Sequence, residues 1–87
     1  MQKREIEIAN EAGLDAPACT KLTQLAAKYL CNVSVARKGR AVNAKSLMGV
    51  MMLAASKGSL VVLETDGPDE TEALAAIVAL IGHQFGE

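Results

Sequence analysis

Side chains able to do chemistry gather at two places in this 87-residue chain. The first is Gly13-Leu14-Asp15-Ala16-Pro17-Ala18, where a carboxylate stands ahead of a stretch with helical spacing. Asp15 can cap that helix by accepting the N–H of Ala18, with Pro17 tolerated in the first turn and the negative charge favoured at the positive helix end. It can also attack phosphorus and become an acyl phosphate. Carboxylates that do so usually work beside a bound metal and a lysine, and no acidic cluster for a metal is evident. The second place is Ser46, ahead of Leu47-Met48-Gly49-Val50-Met51-Met52. A serine there is a helix cap, and a phosphate on it would sit among free amides and the positive dipole end.

Three other groups deserve weighing against plainer roles. His83 lies near the end of the last helix, where an imidazolium complements the dipole, and nothing in the sequence ties it to Asp15. A thiol at a helix start, such as Cys19, can have its pKa lowered. Its phase with Leu22 and Ala26 instead makes Cys19 a small buried hydrophobe. Cys19 and Cys31, twelve residues apart, would be roughly 18 Å apart along one helix, whereas a disulfide needs Cα atoms within about 7 Å. Two reduced thiols are expected. Neither cysteine has a metal-ligand spacing, and with one His no metal or cofactor is implied.

Composition narrows the class. The chain is read as one domain over residues 1–87, and at this size only roughly 60% of the unfolded surface is buried. The hydrophobic fraction of 51% comes mainly from Ala, Val, Leu, Ile and Met, with one Tyr, one Phe and no Trp. Without aromatic faces there is no stacking platform for single-stranded nucleic acid. A net charge of −1 gives no global field for nucleic acid or anionic lipid. No apolar run approaches the roughly 20 residues that span a bilayer, and Met1-Gln2-Lys3-Arg4-Glu5 is not a signal sequence. A cytoplasmic monomer is expected.

The elements that must position these groups follow from periodicity. Residues 3–9 alternate, with Ile6 and Ile8 inward and Glu5 and Glu7 outward, as in a half-buried strand. Residues 10–14 form a loop, and residues 16–29 an amphipathic helix whose stripe is Leu22, Leu25, Ala26, Tyr29 and Leu30. Strands at 32–36 and 40–43 flank a hairpin turn at Lys38-Gly39. After Ser46 comes a short helix with Leu47, Val50, Met51 and Ala54 on one face and Met48, Gly49 and Met52 opposite, ended by Lys57-Gly58. Residues 59–65 are an apolar strand. Asp69 is expected to cap the last helix, with Glu72 completing a capping box and Leu74, Ile77, Val78, Ile81 and Phe85 forming its buried stripe. The order βαββαβα, with helices covering one face of four strands, predicts a two-layer α+β sandwich.

The stretch Asn43-Ala44-Lys45-Ser46-Leu47-Met48-Gly49-Val50-Met51-Met52-Leu53, then Lys57-Gly58 and Asp66-Gly67-Pro68-Asp69-Glu70, resembles the HPr family of the bacterial phosphotransferase system along the whole chain. The ending, from Glu72 to Ile81, is similar to proteobacterial members, including the nitrogen-related branch. The resemblance implies an open-faced sandwich with a four-stranded antiparallel sheet. It also implies a phosphoryl carrier or regulatory protein rather than a turnover enzyme. Its partners would be Enzyme I, Enzyme IIA-type acceptors and HPr kinase/phosphorylase. The family's site reads Gly-Leu-His-Ala-Arg-Pro-Ala. Aligned without a gap, Asp15 stands at the carrier His, Pro17 at the Arg and Ala18 at the Pro. Ser46 matches the serine that the kinase modifies. Ala16, Pro17, Thr20, Leu47, Met48, Met51 and Met52 fall on the family's docking face, with Lys21, Lys45 and Arg40 as a basic rim.

Three accounts follow from that pattern. One is an interaction and regulatory module that has lost histidine transfer, by divergence or by deliberate substitution. Another is an active carrier using an unconventional acceptor, Asp15 or His83. The third is an ordinary phosphocarrier whose site has been altered.

Overall fold

The computed structural model describes residues 1–86, and Glu87, the last residue of the expected domain, lies outside them. Elements run β1 (Gln2–Glu7), α1 (Ala16–Ala26), β2 (Asn32–Arg37), β3 (Arg40–Asn43), α2 (Leu47–Met52), β4 (Leu60–Asp66) and α3 (Glu70–Gly82), closed by a 3-10 turn at Gln84–Gly86. The four strands form one antiparallel sheet in the order β1-β4-β2-β3. The predicted element order and α+β sandwich are therefore what is found.

Alternation along β4 divides the two faces. Val61, Leu63 and Thr65 are buried under the helices, while Leu60 is exposed and Val62 half-buried on the open face. Leu22 of α1, Val50 of α2, and Ile77 and Ile81 of α3 meet Val35 and Leu63 in one apolar core. The β2–β3 hairpin closes on a two-residue turn in which Lys38 (φ 52°) and Gly39 (φ 81°) both take positive φ, as a twisted hairpin requires.

Four elements depart from their expected form. The helix predicted over residues 16–29 stops at Ala26, and Leu30, placed in its stripe, is 83% exposed. The chain leaves through tightened turns, Lys28 N–H to the Leu25 carbonyl and Tyr29 N–H to the Ala26 carbonyl. Next, the Leu30 and Cys31 N–H groups each donate to the Asp69 carboxylate at 2.9 Å. That use of Asp69 is the second departure. Its side chain makes no cap bond to α3, and Glu70 rather than Glu72 reaches back, accepting the Gly67 N–H at 3.2 Å.

The third departure is in α2, which ends at Met52, well before Lys57-Gly58, with Ala54 turned to φ 51°. Of its expected inner face only Val50 is buried; Leu47, Met51 and Ala54 are exposed, and Leu53 and Ala55 go inward instead. The fourth is Phe85, which is buried but lies beyond α3, in the 3-10 turn at φ 57°. Lys21 of α1 ties that turn down by donating to the Phe85 carbonyl at 2.6 Å. Among the described residues no helix is long and apolar enough to cross a membrane.

Candidate functional site

The loop ahead of α1 fixes where Asp15 stands. Gly13 has φ +66°, and a Cβ there would lie 2.6 Å from the Ala55 carbonyl oxygen, so only glycine lets the two segments pass this closely. The Leu14 N–H then donates to the Ala55 carbonyl at 2.8 Å, and the Asn10 side-chain amide donates to the Gly13 carbonyl at 2.7 Å. The Leu14 bond ties the start of α1 to the chain just after α2, and the Asn10 bond holds the loop itself. The helices that follow Asp15 and Ser46 pack against each other.

Asp15 occupies the N-cap in extended conformation, and its Oδ1 accepts the Ala18 N–H at 3.0 Å. The backbone carbonyl of Asp15 takes the first intrahelical bond, from Cys19 N–H at 2.9 Å. Pro17, in the first turn, has no N–H to offer. One donor of this helix start is thus engaged by a carboxylate and another is missing. Ala16 and Pro17 are exposed, and Thr20 is half-buried, its hydroxyl donating to the Ala16 carbonyl at 2.9 Å.

Cys19 is fully buried beneath this turn, and its Sγ donates to the Leu14 carbonyl at 3.3 Å. Burial, then the neighbouring Asp15 charge, pushes the thiol above its ordinary value. The small-hydrophobe reading is what the structure shows. Cys31 is also free and buried, its thiol pushed up first by burial and then by Asp69.

The Ser46 end is built by the same rule with a neutral cap. Ser46 Oγ accepts the Gly49 N–H at 3.2 Å, its carbonyl accepts the Val50 N–H at 3.0 Å, and the residue is exposed. Asn43 shapes the approach, since its carbonyl accepts the Ser46 N–H at 3.0 Å and its Oδ1 the Lys45 N–H at 2.9 Å. A Cβ on Gly49 would come within 3.3 Å of Ser46 Oγ, so glycine keeps the hydroxyl uncrowded.

Leu47, Met48, Met51 and Met52 all lie on the exposed side of α2 and line one shallow apolar depression. The sequence set Leu47 and Met51 inward; in a six-residue helix a single buried anchor, Val50, turns both outward. Of the expected basic rim, Lys21 and Arg40 are exposed and Lys45 is half-buried. Lys21 is held by the Phe85 carbonyl, and Lys45 Nζ donates to the Tyr29 carbonyl at 2.7 Å. His83 caps the C-terminus of α3, exposed, with its N–H on the Ala79 carbonyl at 2.9 Å. Asp69 is the group whose role the sequence missed. The Leu30 N–H bond, aided by that from Cys31, holds its carboxyl below the usual range. Among the described residues no group of three or more His, Cys, Asp or Glu is placed to hold a metal ion.

The class defined here is an open-faced βαββαβα sandwich in which side chains cap the starts of α1 and α2 and α2 exposes an apolar face. The family model for the "PTS HPr component phosphorylation site" matches residues 2–83. The phosphocarrier protein HPr of Cupriavidus necator is 58% identical over 87 residues, covering 100% of this chain and 98% of that protein. The HPr-C-His form of the Thermoanaerobacter tengcongensis protein superposes with a TM-score of 0.97 at 42% identity, covering 100% of this chain and 98% of that one. The Bacillus subtilis catabolite repression protein Crh, crystallised as a domain-swapped dimer, matches at TM-score 0.77 and 36% identity over 97% of each chain. This chain belongs to the HPr family, the phosphocarrier component of the phosphotransferase system. Members of that family carry phosphoryl groups among phosphotransferase proteins such as Enzyme I and Enzyme IIA; they are not turnover enzymes.

Proposed function

We propose that this chain, a single unit over residues 1–87, is an interaction and regulatory module on the HPr scaffold of the phosphotransferase system that no longer relays phosphate through a histidine. The observation that carries this reading is the Asp15 Oδ1 bond to the Ala18 N–H at 3.0 Å, with Pro17 beside it. A phosphoryl group at this helix start would need free N–H donors and positive charge. Asp15 instead brings a negative charge that engages one donor, and Pro17 supplies none. The resemblance puts Asp15 and Pro17 at the positions of the family's carrier His and its Arg.

What remains supports partner recognition. The exposed Leu47, Met48, Met51 and Met52 with Ala16, Pro17 and Thr20 form the face offered to Enzyme I and Enzyme IIA-type proteins. Flexible thioether side chains suit a surface that meets several partners. Ser46 is the proposed target of a kinase of the HPr kinase/phosphorylase type, since its hydroxyl is exposed at a helix N-terminus. A relative of the same fold that is named for catabolite repression supports a regulatory use of this scaffold. The module is placed in the cytoplasm, where these partners work, as a monomer.

Incubation with Enzyme I and labelled phosphoenolpyruvate tests the reading. No stable label on the chain is expected. Acid-labile, base-stable label would mean a phosphohistidine at His83, and base- and hydroxylamine-labile label would mean an acyl phosphate on Asp15. Either result returns the chain to the active carriers.

A further inference from the structure

Sulfur in this molecule is divided sharply by exposure. Cys19 and Cys31 are 0% and 1% exposed, and burial raises both thiols, so little reactive thiolate forms at neutral pH. All four methionines lie at the surface, Met1 at 71%, Met48 at 75%, Met51 at 45% and Met52 at 56% exposure. Three of them, with Leu47, make up the whole lining of the depression on α2. Their spacing of three and four residues makes Met48 a neighbour of Met51 and Met52 on the helix surface. Apart from Leu47, every side chain of that apolar face is an accessible thioether.

We propose that Met48, Met51 and Met52 form an oxidation-sensitive modification site through which peroxide-class oxidants release partners from the α2 face. This rests on the docking role given to that face above. In the forward step a thioether lone pair attacks one peroxide oxygen. The S–O bond forms as the O–O bond breaks, sulfur is oxidised by two electrons, and hydroxide leaves to be protonated to water. The sulfoxide is a strong polar acceptor where the surface was apolar, and a docking partner must strip its water without returning a hydrogen bond. A dithiol-dependent methionine sulfoxide reductase reverses the change, two thiols becoming a disulfide as the sulfoxide oxygen leaves as water. The buried cysteines take no part.

The test treats the full chain with hydrogen peroxide, maps each added oxygen of about 16 Da by peptide mass spectrometry, and measures binding to Enzyme I calorimetrically. Oxygen is expected on Met48, Met51 and Met52 with Cys19 and Cys31 unmodified, and affinity for Enzyme I about tenfold or more weaker. Methionine sulfoxide reductase with its dithiol should restore the affinity. The M48L/M51L/M52L variant, measured against its own untreated sample, should show no change on peroxide treatment, although its Met1 is still oxidised. Unchanged affinity of a chain carrying all three sulfoxides overturns the proposal. So does a treated Leu variant that weakens as much as the wild type. The docking role fails separately if unoxidised Met48→Asp/Met52→Asp protein, folded by circular dichroism, binds Enzyme I undiminished.

Discussion

The first turns of α1 and α2 are capped by the same geometry and differ in charge. Asp15 accepts the N–H three residues on at 3.0 Å, and Ser46 does the same at 3.2 Å. A carboxylate at the first start occupies the positive helix end, and Pro17 removes a further donor. A hydroxyl at the second leaves that end with an uncharged, exposed cap. One scaffold therefore carries one charged and one neutral helix cap, and on the function proposed above the first is closed to an anion and the second open to one. The lesson is that capping and phosphate binding compete for the same backbone donors, so a change of cap residue changes what a helix start can hold.

The largest effect should come from reopening the closed end. Asp15→His with Pro17→Arg and Ala18→Pro should turn an unlabelled chain into one that accepts phosphate from Enzyme I and phosphoenolpyruvate, measured as acid-labile label. A folded triple variant with no label at all would count against the shared docking face. The open end is tested next. With ATP and HPr kinase, label should appear on the wild type and vanish in Ser46→Ala; label persisting in that variant would move the modified residue elsewhere.

Smaller effects separate cap from charge. Asp15→Ala should lower stability by about 1 kcal/mol in urea unfolding, and Ser46→Ala by a similar or smaller amount. Asp15→Asn keeps an acceptor and removes only the charge, so it should cost less than Asp15→Ala. Equal losses for Asn and Ala would show that the charge, not the hydrogen bond, is what matters at α1.

Asp69 gives the smallest contrast, as a carboxylate at a helix start that serves a neighbouring loop. Its folded value lies below the ordinary 3.8, chiefly through the Leu30 N–H, so its stabilisation is present above that value and fades as pH falls through the folded one. The stability gap between wild type and Asp69→Asn should therefore be full at neutral pH and shrink in acid. A gap that widens in acid would contradict the assignment.

These cases show which parts of the fold could be read from the chain. The Asp15 cap, the Ser46 cap and the Lys38-Gly39 turn depend on residues within a few positions of one another, and local chemistry decides them. The role of Asp69 depends on N–H groups 39 and 38 residues away, which no local pattern reveals. The end of α1 at Ala26 is hidden for the same reason. No glycine or proline stops the helix there, and the following turn is held by Asp69. In α2, six residues give too little periodicity to orient the methionines. The buried anchor Val50, together with Leu53 and Ala55 drawn inward after it, sets their outward face. The bond from Lys21 to the Phe85 carbonyl, 64 residues along the chain, is likewise invisible to local pattern.

The most direct test of the central claim is the intact mass of the chain after equilibration with Enzyme I, magnesium and excess phosphoenolpyruvate, with the Cupriavidus necator relative alongside. The account predicts a phosphorylated mass for the relative and an unshifted mass for this chain. A stoichiometric phosphoryl adduct on this chain, mapped to Asp15 and passed on to an Enzyme IIA-type acceptor, would contradict it.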